Sequence, residues 1–165
     1  MQRREPWLWA AGIWVADFVT KRLVLANADL LRSDRVEILG DFFRLAYVRN
    51  PGAAMGLTPF GRWMLVAISA GAAALLIWFL LVADRRQRAR RLAMGLILGG
   101  ALGNLIDRLF YDGLVVDFLD FGIGPHRFWT FNVADIGVSC GGCLLLLCLA
   151  IEEIRERRAR GKHHA

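Results

Sequence analysis

The chain has little cysteine and little histidine, three of each. Cys140, Cys143 and Cys148 all fall in one apolar run, with no His beside them. A single C-x-x-C (Cys140 and Cys143), without a second pair or a neighbouring His, does not make a zinc site. No metal and no cofactor are expected. The cysteines read as small apolar filler next to Gly141 and Gly142. Charge is missing too, over stretches longer than a soluble domain would leave bare: residues 63–83 carry none. What remains is 56% hydrophobic, with a mean hydropathy of +0.42, yet Lys and Arg still number 21. The apolar residues gather in long runs and the basic ones crowd between them, which is a membrane pattern. The formal charge of +6 therefore reads as topology signal and anionic-lipid contact, and no nucleic-acid partner is expected.

A spanning helix needs about 20 mainly apolar residues. Four stretches qualify: residues 7–25, 63–83, 92–110 and 131–151. The first is the least clean, because Asp17 and Lys21 interrupt it. It reads as a retained span, since no small-residue cleavage site follows a clean apolar run. The expected fold is an all-α membrane bundle of four transmembrane helices, one domain over residues 1–165.

Basic residues favour the cytoplasmic side. Arg3 and Arg4 precede the first span; Arg85, Arg86, Arg88, Arg90 and Arg91 link the second to the third; Arg155, Arg157, Arg158, Arg160 and Lys162 follow the fourth. With four spans these segments share one side, so both termini are expected in the cytoplasm. The connections 26–62 and 111–130 then face outward. Within the first of them, Val36-Glu37-Ile38-Leu39 and Phe43-Arg44-Leu45-Ala46-Tyr47-Val48 flank Gly40-Asp41. Two β-prone runs around such a turn predict a hairpin, lying at the outer membrane surface. Pro51-Gly52 ends it, and the small residues through Gly56 suit a close turn or a backbone that approaches a ligand.

An ionisable group inside a span costs at least ~2.5–3.5 kcal/mol on insertion scales, and is usually paired or functional. Asp17, Thr20 and Lys21 fall in the outer part of the first span. Asn104, Asp107 and Arg108 end the third, and Asn132 and Asp135 begin the fourth. Three helices thus place polar groups at one level. Asp17 with Lys21, Asn104 with Arg108, and Asn132 with Asp135 are three or four apart, so each pair shares a helical face. Asp17 with Lys21, and Asp107 with Arg108, serve equally well as bundle-holding pairs.

Asp117 and Asp135 differ, because neither has a basic neighbour in sequence. Two carboxylates brought together in a partly apolar site share one proton. Such a pair supplies a base to activate water and an acid for a leaving amine. Asp112 and Asp120 flank the same region and stay candidates on spacing alone.

These motifs resemble those of the bacterial lipoprotein signal peptidases (signal peptidase II). The matching blocks run in order: Asp17-Phe18-Val19-Thr20-Lys21, Asn50-Pro51-Gly52-Ala53-Ala54-Met55-Gly56, Gly103-Asn104-Leu105-Ile106-Asp107-Arg108, Val115-Val116-Asp117-Phe118 and Phe131-Asn132-Val133-Ala134-Asp135. The resemblance implies an aspartic endopeptidase of the bacterial inner membrane, cutting prolipoproteins just before a diacylglyceryl-bearing cysteine. It implies Asp117 and Asp135 as the catalytic dyad. Asn50, Gly52, Asn104, Arg108 and Asn132 match positions that line or orient the site, with Asp17 and Lys21 in support. Its partners would be membrane-embedded lipidated prolipoproteins and membrane lipids, met by a monomer with its site near the outer face. Met55 stands where Phe is commoner, and Thr130 where Pro is common. Two rival readings are a small proton-coupled transporter and a non-enzymatic scaffold.

Overall fold

The computed structural model describes residues 4–33, 35–51, 61–84 and 87–162. Gly52 and the small-residue tract to Gly56 lie outside them. Among the described residues five helices and four strands follow one another as α1 (Glu5–Ala26), α2 (Ala28–Ser33), β1 (Val36–Leu39), β2 (Phe43–Asn50), α3 (Gly61–Val82), α4 (Arg88–Phe110), β3 (Val115–Ile123), β4 (His126–Arg127) and α5 (Val133–Lys162).

Burial is inverted relative to a soluble protein. Asp17, Lys21, Asp107, Asp117 and Asn132 are buried, while Trp63, Ile68, Leu75, Trp78, Phe79 and Leu81 of α3 are exposed. Hydrocarbon, not water, suits such a surface. Among the described residues three helices are long and apolar enough to cross a membrane: Trp63–Val82, Arg88–Phe110 and Val133–Arg160. α1 is as long as α3, 22 residues, but Asp17, Lys21 and Arg22 lower its apolar character. The last helix runs well past the expected 131–151, because its Glu and Arg residues prolong it as i,i+4 pairs such as Arg157 with Glu153.

α4 is the hub, packed against α1, α3 and α5. Glycines allow this. Gly95, Gly99 and Gly103, four apart, face α1: a methyl at Gly99 would lie 2.5 Å from the Ala10 carbonyl oxygen, and one at Gly103 the same distance from the Asp17 carboxylate. Gly100 abuts the Ala134 carbonyl of α5. Lipid gives packed helices little apolar driving force, so small residues that let backbones touch do the joining.

The expected hairpin is half of a larger sheet. β1 and β2 pair antiparallel, with Gly40 between them at φ +50°. β2 then pairs antiparallel with β3, which continues into β4, giving the order β1-β2-β3-β4. Sequence reading took Val115-Val116-Asp117-Phe118 only as an apolar segment. It is a strand with both faces covered, so it lacks the alternation that marks a half-exposed one. Phe43 stacks on Phe121, and Phe121 on Phe131, centroids 4.5 and 5.7 Å apart. α2, also unforeseen, packs against β2.

Candidate active site

Pairing register delivers the first carboxylate. Val48 lies opposite Asp117 in the β2–β3 ladder, so Asn50, two residues on, shares the face of Asp117. Its Nδ2 donates to Asp117 Oδ2 at 2.7 Å. The second carboxylate arrives through a tether. Phe131 exchanges backbone hydrogen bonds with Leu119 of β3, at 2.8 and 3.1 Å. That contact sets Asn132 beside the strand just as α5 begins.

Asn132 then serves both carboxylates. Its Nδ2 donates to Asp117 Oδ1 at 2.6 Å. Its Oδ1 accepts from the Asp135 amide at 2.9 Å, while its own amide donates to Asp135 Oδ2 at 3.2 Å. The last two bonds form a capping box at the start of α5, with Asn and Asp in place of the usual Ser/Thr and Glu. Asp135 Oδ1 accepts a further bond from Asn104 Nδ2 at 2.8 Å. Asp117 and Asp135 are thus bound to one shared residue, and both line a single cavity of about 880 Å³.

Behind them lies an ion-paired cluster. Lys21 Nζ sits 2.7 Å from Asp17 Oδ2, 2.9 Å from Asp107 Oδ2 and 3.0 Å from Asn104 Oδ1. Its three protons have three acceptors. Asp17 Oδ1 accepts the Ala134 amide at 2.9 Å, and Asp107 Oδ2 the Val116 amide at 3.0 Å. Each carboxylate therefore ties α1 or α4 to the element that carries a candidate dyad residue. Asp107 and Arg108 point apart, because residues next to each other on a helix diverge by about 100°, and Asp107 turns to Lys21. Lys21 also fixes Asn104. With its Oδ1 taken by Lys21 and by Asn132 Nδ2 at 3.2 Å, the NH₂ of Asn104 faces Asp135.

Arg108 lines the cavity and interacts electrostatically with Asp135, Asp107 and Asp117. Its Nη1 donates to Ser69 Oγ at 3.2 Å and to the Asn104 carbonyl at 3.4 Å. Sequence reading missed Ser69, though it is the one hydroxyl in the charge-free run 63–83. It also missed Ser139 and Cys140 in the cavity wall, although Ser139, four residues after Asp135, shares its helical face. Phe128, Trp129 and Phe131 supply an apolar wall. Asp120 is excluded from the pair: it is buried against Arg35, Arg44 and Arg127, at 3.2, 3.4 and 3.0 Å. Asp112 stands in the turn after α4 at φ +56°.

The electrostatics separate Asp117 from an ordinary carboxyl. Burial pushes it up to about 6; hydrogen bonds from Asn50 and Asn132 and the charge of Lys21 pull against that rise, and the charge of Asp135 adds to it. A carboxyl in that range exchanges its proton near neutral pH. Among the described residues no group of three or more His, Cys, Asp and Glu is arranged to hold a metal ion.

Residues 9–151 match the family model for signal peptidase (SPase) II. The chain is 40% identical over 152 residues to the lipoprotein signal peptidase of Desulfitobacterium hafniense, covering 92% of this chain and 97% of that one. It is 45% identical over 139 residues to that of Symbiobacterium thermophilum, covering 84% and 90%. Two solved structures described as bacterial membrane enzymes share the fold, with TM-scores of 0.79 and 0.77 at 29% and 30% identity. They cover 90% and 87% of this chain, and it spans 88% and 91% of theirs. A match over this much of the chain, through every element that carries the site, shows that the chain belongs to the signal peptidase II family.

Proposed function

We propose that the chain is an aspartic endopeptidase that removes signal peptides from diacylglyceryl-modified prolipoproteins, with Asp117 and Asp135 as the dyad. One observation carries this reading: both carboxylates are bonded to Asn132 and open onto the same cavity. The ionised member takes a proton from a water between them. The water oxygen then attacks the scissile carbonyl carbon. The protonated member gives its proton to the carbonyl oxygen, forming a neutral diol. Collapse breaks the C–N bond, and the amine leaves with a proton from the pair. The diol yields its own proton back, so one water is consumed and the dyad ends singly protonated.

Asn50, Asn104 and Asn132 hold the pair with neutral donors, so their bonds orient it without cancelling its charge. Arg108 adds a cation at the cavity wall. A lipidated signal peptide is itself in the membrane, and a dyad at the outer interface meets its scissile bond in place. In this reading α1, α3, α4 and α5 all span the inner membrane, both termini are cytoplasmic, the sheet lies on the outer surface, and the enzyme acts as a monomer.

The test is cleavage of a diacylglyceryl-modified prolipoprotein by purified protein in detergent or lipid, followed by gel shift. Asp117→Asn and Asp135→Asn should each lower the rate by about 10²–10⁴-fold while the protein stays folded. Wild-type rates in either variant would remove that residue from the dyad. Strong inhibition by a chelator would point to a metallopeptidase, and proton-driven flux without cleavage to a carrier.

A further inference from the structure

At the end of the bundle opposite the dyad, the first turns of α1 and α4 meet around a second cavity, of about 290 Å³. Glu5, Pro6 and Trp9 line it from α1, Arg88 and Arg91 from α4. Both helices start at this end, so the positive dipole ends of two helices of 22 and 23 residues lie on the same side of the bundle. Neither Arg4 nor Gln87, at the two N-cap positions, makes a side-chain capping bond. The two helices touch at this level, where Gly95 abuts the Pro6 carbonyl.

Arg91 is the second, independent observation. It is only 5% exposed. Its Nη1 donates to the carbonyls of Leu80 and Ala83 at the end of α3, at 2.8 and 3.2 Å. Its Nε is buried and has no hydrogen-bond partner among the described residues. Carbonyl oxygens do not neutralise a guanidinium, and Glu5 is the single carboxylate in the lining against Arg88 and Arg91, so a buried cation stands at a cavity whose cations outnumber its anions, a costly arrangement unless a further anion is bound.

We propose that this cavity binds the phosphate of an anionic membrane lipid. Two guanidiniums against the Glu5 carboxylate leave one net positive charge, which matches a monoanionic phosphodiester. Arginine forks suit phosphate oxygens, and free amides at a helix start add donors. Trp9, half exposed beside the cavity, is a side chain suited to the headgroup level. The lipid reading rests on the topology proposed above, in which this end faces the cytoplasmic leaflet; anionic lipids are attracted to basic pockets on that side.

Thermal unfolding of the full-length protein in detergent provides the test, titrated with dioctanoyl phosphatidylglycerol, dioctanoyl phosphatidylcholine or inorganic phosphate. We expect a saturable rise in Tm with phosphatidylglycerol and little with phosphatidylcholine. Arg88→Gln, an exposed position that should fold normally, should weaken the apparent affinity about fivefold. Arg157→Gln, the same charge change at an exposed α5 site away from the cavity, should leave it unchanged. Glu5→Gln should tighten it. An equal response to inorganic phosphate would assign the site to free phosphate and overturn the lipid reading. Equal effects of Arg88→Gln and Arg157→Gln, or no selectivity against phosphatidylcholine, would overturn the site itself. Asp117→Asn should bind lipid as the wild type does, so the outcome is separable from that of the proteolysis assay.

Discussion

Two pairs of carboxylates, linked through Asn104, are treated in opposite ways. Asp17 and Asp107 flank the ammonium of Lys21, and each also accepts a backbone amide. Asp117 and Asp135 accept bonds from asparagine side chains and from a single amide, and face a cavity. The first group is closed: its two carboxylates share one ammonium, and its work is to fasten α1 to α5 and α4 to β3. The second is oriented by neutral amide donors and has no cation within ion-pair distance among the described residues, which is what the proposed acid–base pair requires. Asn104 joins the two, accepting from Lys21 and donating to Asp135.

Removing the cation is the largest test of that contrast. Lys21→Met should cost about 3–5 kcal/mol of stability, because two buried carboxylates lose their counter-charge, and thermal unfolding in detergent would register it. Asp117→Asn should leave Tm nearly unchanged. A comparable loss of Tm in both would erase the distinction between the groups.

Packing comes next. Gly100→Ala should destabilise by about 1–3 kcal/mol, since its methyl would collide with the Ala134 carbonyl and Val138 at the seam that positions Asp135. Gly142→Ala, where a methyl meets nothing within 4 Å, should be neutral or slightly stabilising through helix propensity. Similar losses at both positions would contradict the close α4–α5 contact. Asn132→Ala should cost about 1 kcal/mol as a lost cap but far more in rate than in stability, because both carboxylates lose their common partner. A rate loss no larger than the stability loss implies would make Asn132 a cap only.

The smallest effect sharpens the electrostatics. The Asn50 amide favours the ionised form of Asp117, so removing it in Asn50→Ala should move that carboxyl further above about 6. The proton is then kept to higher pH, and the alkaline limb of kcat/KM should shift upward. A downward shift would mean that Asn50 does not act on the ionised carboxylate.

Much of this was legible in the chain itself. The long apolar runs, the level shared by Asp17, Asn104, Asp107, Asn132 and Asp135, and the hairpin around Gly40 follow from composition and local periodicity. The three-residue spacing of Asn132 and Asp135 marks a shared helical face, but the capping box they form came into view only with the hydrogen bonds. The proposed roles of Asp117 and Asp135 rest on resemblance, since spacing alone left Asp112 and Asp120 open; the three arginines around Asp120 give that carboxylate other partners.

The sequence by itself determined which segments avoid water and which polar residues would share a depth, because helix and membrane periodicities act over a few neighbouring residues. Only the tertiary structure decided who pairs with whom. Asp107 belongs to Lys21, 86 positions away in sequence, and not to its neighbour Arg108. β3 joins β2 across two intervening helices. Such partners are chosen where close-packed glycines and strand register bring distant backbones together, and a buried charge takes whichever counter-charge that packing delivers.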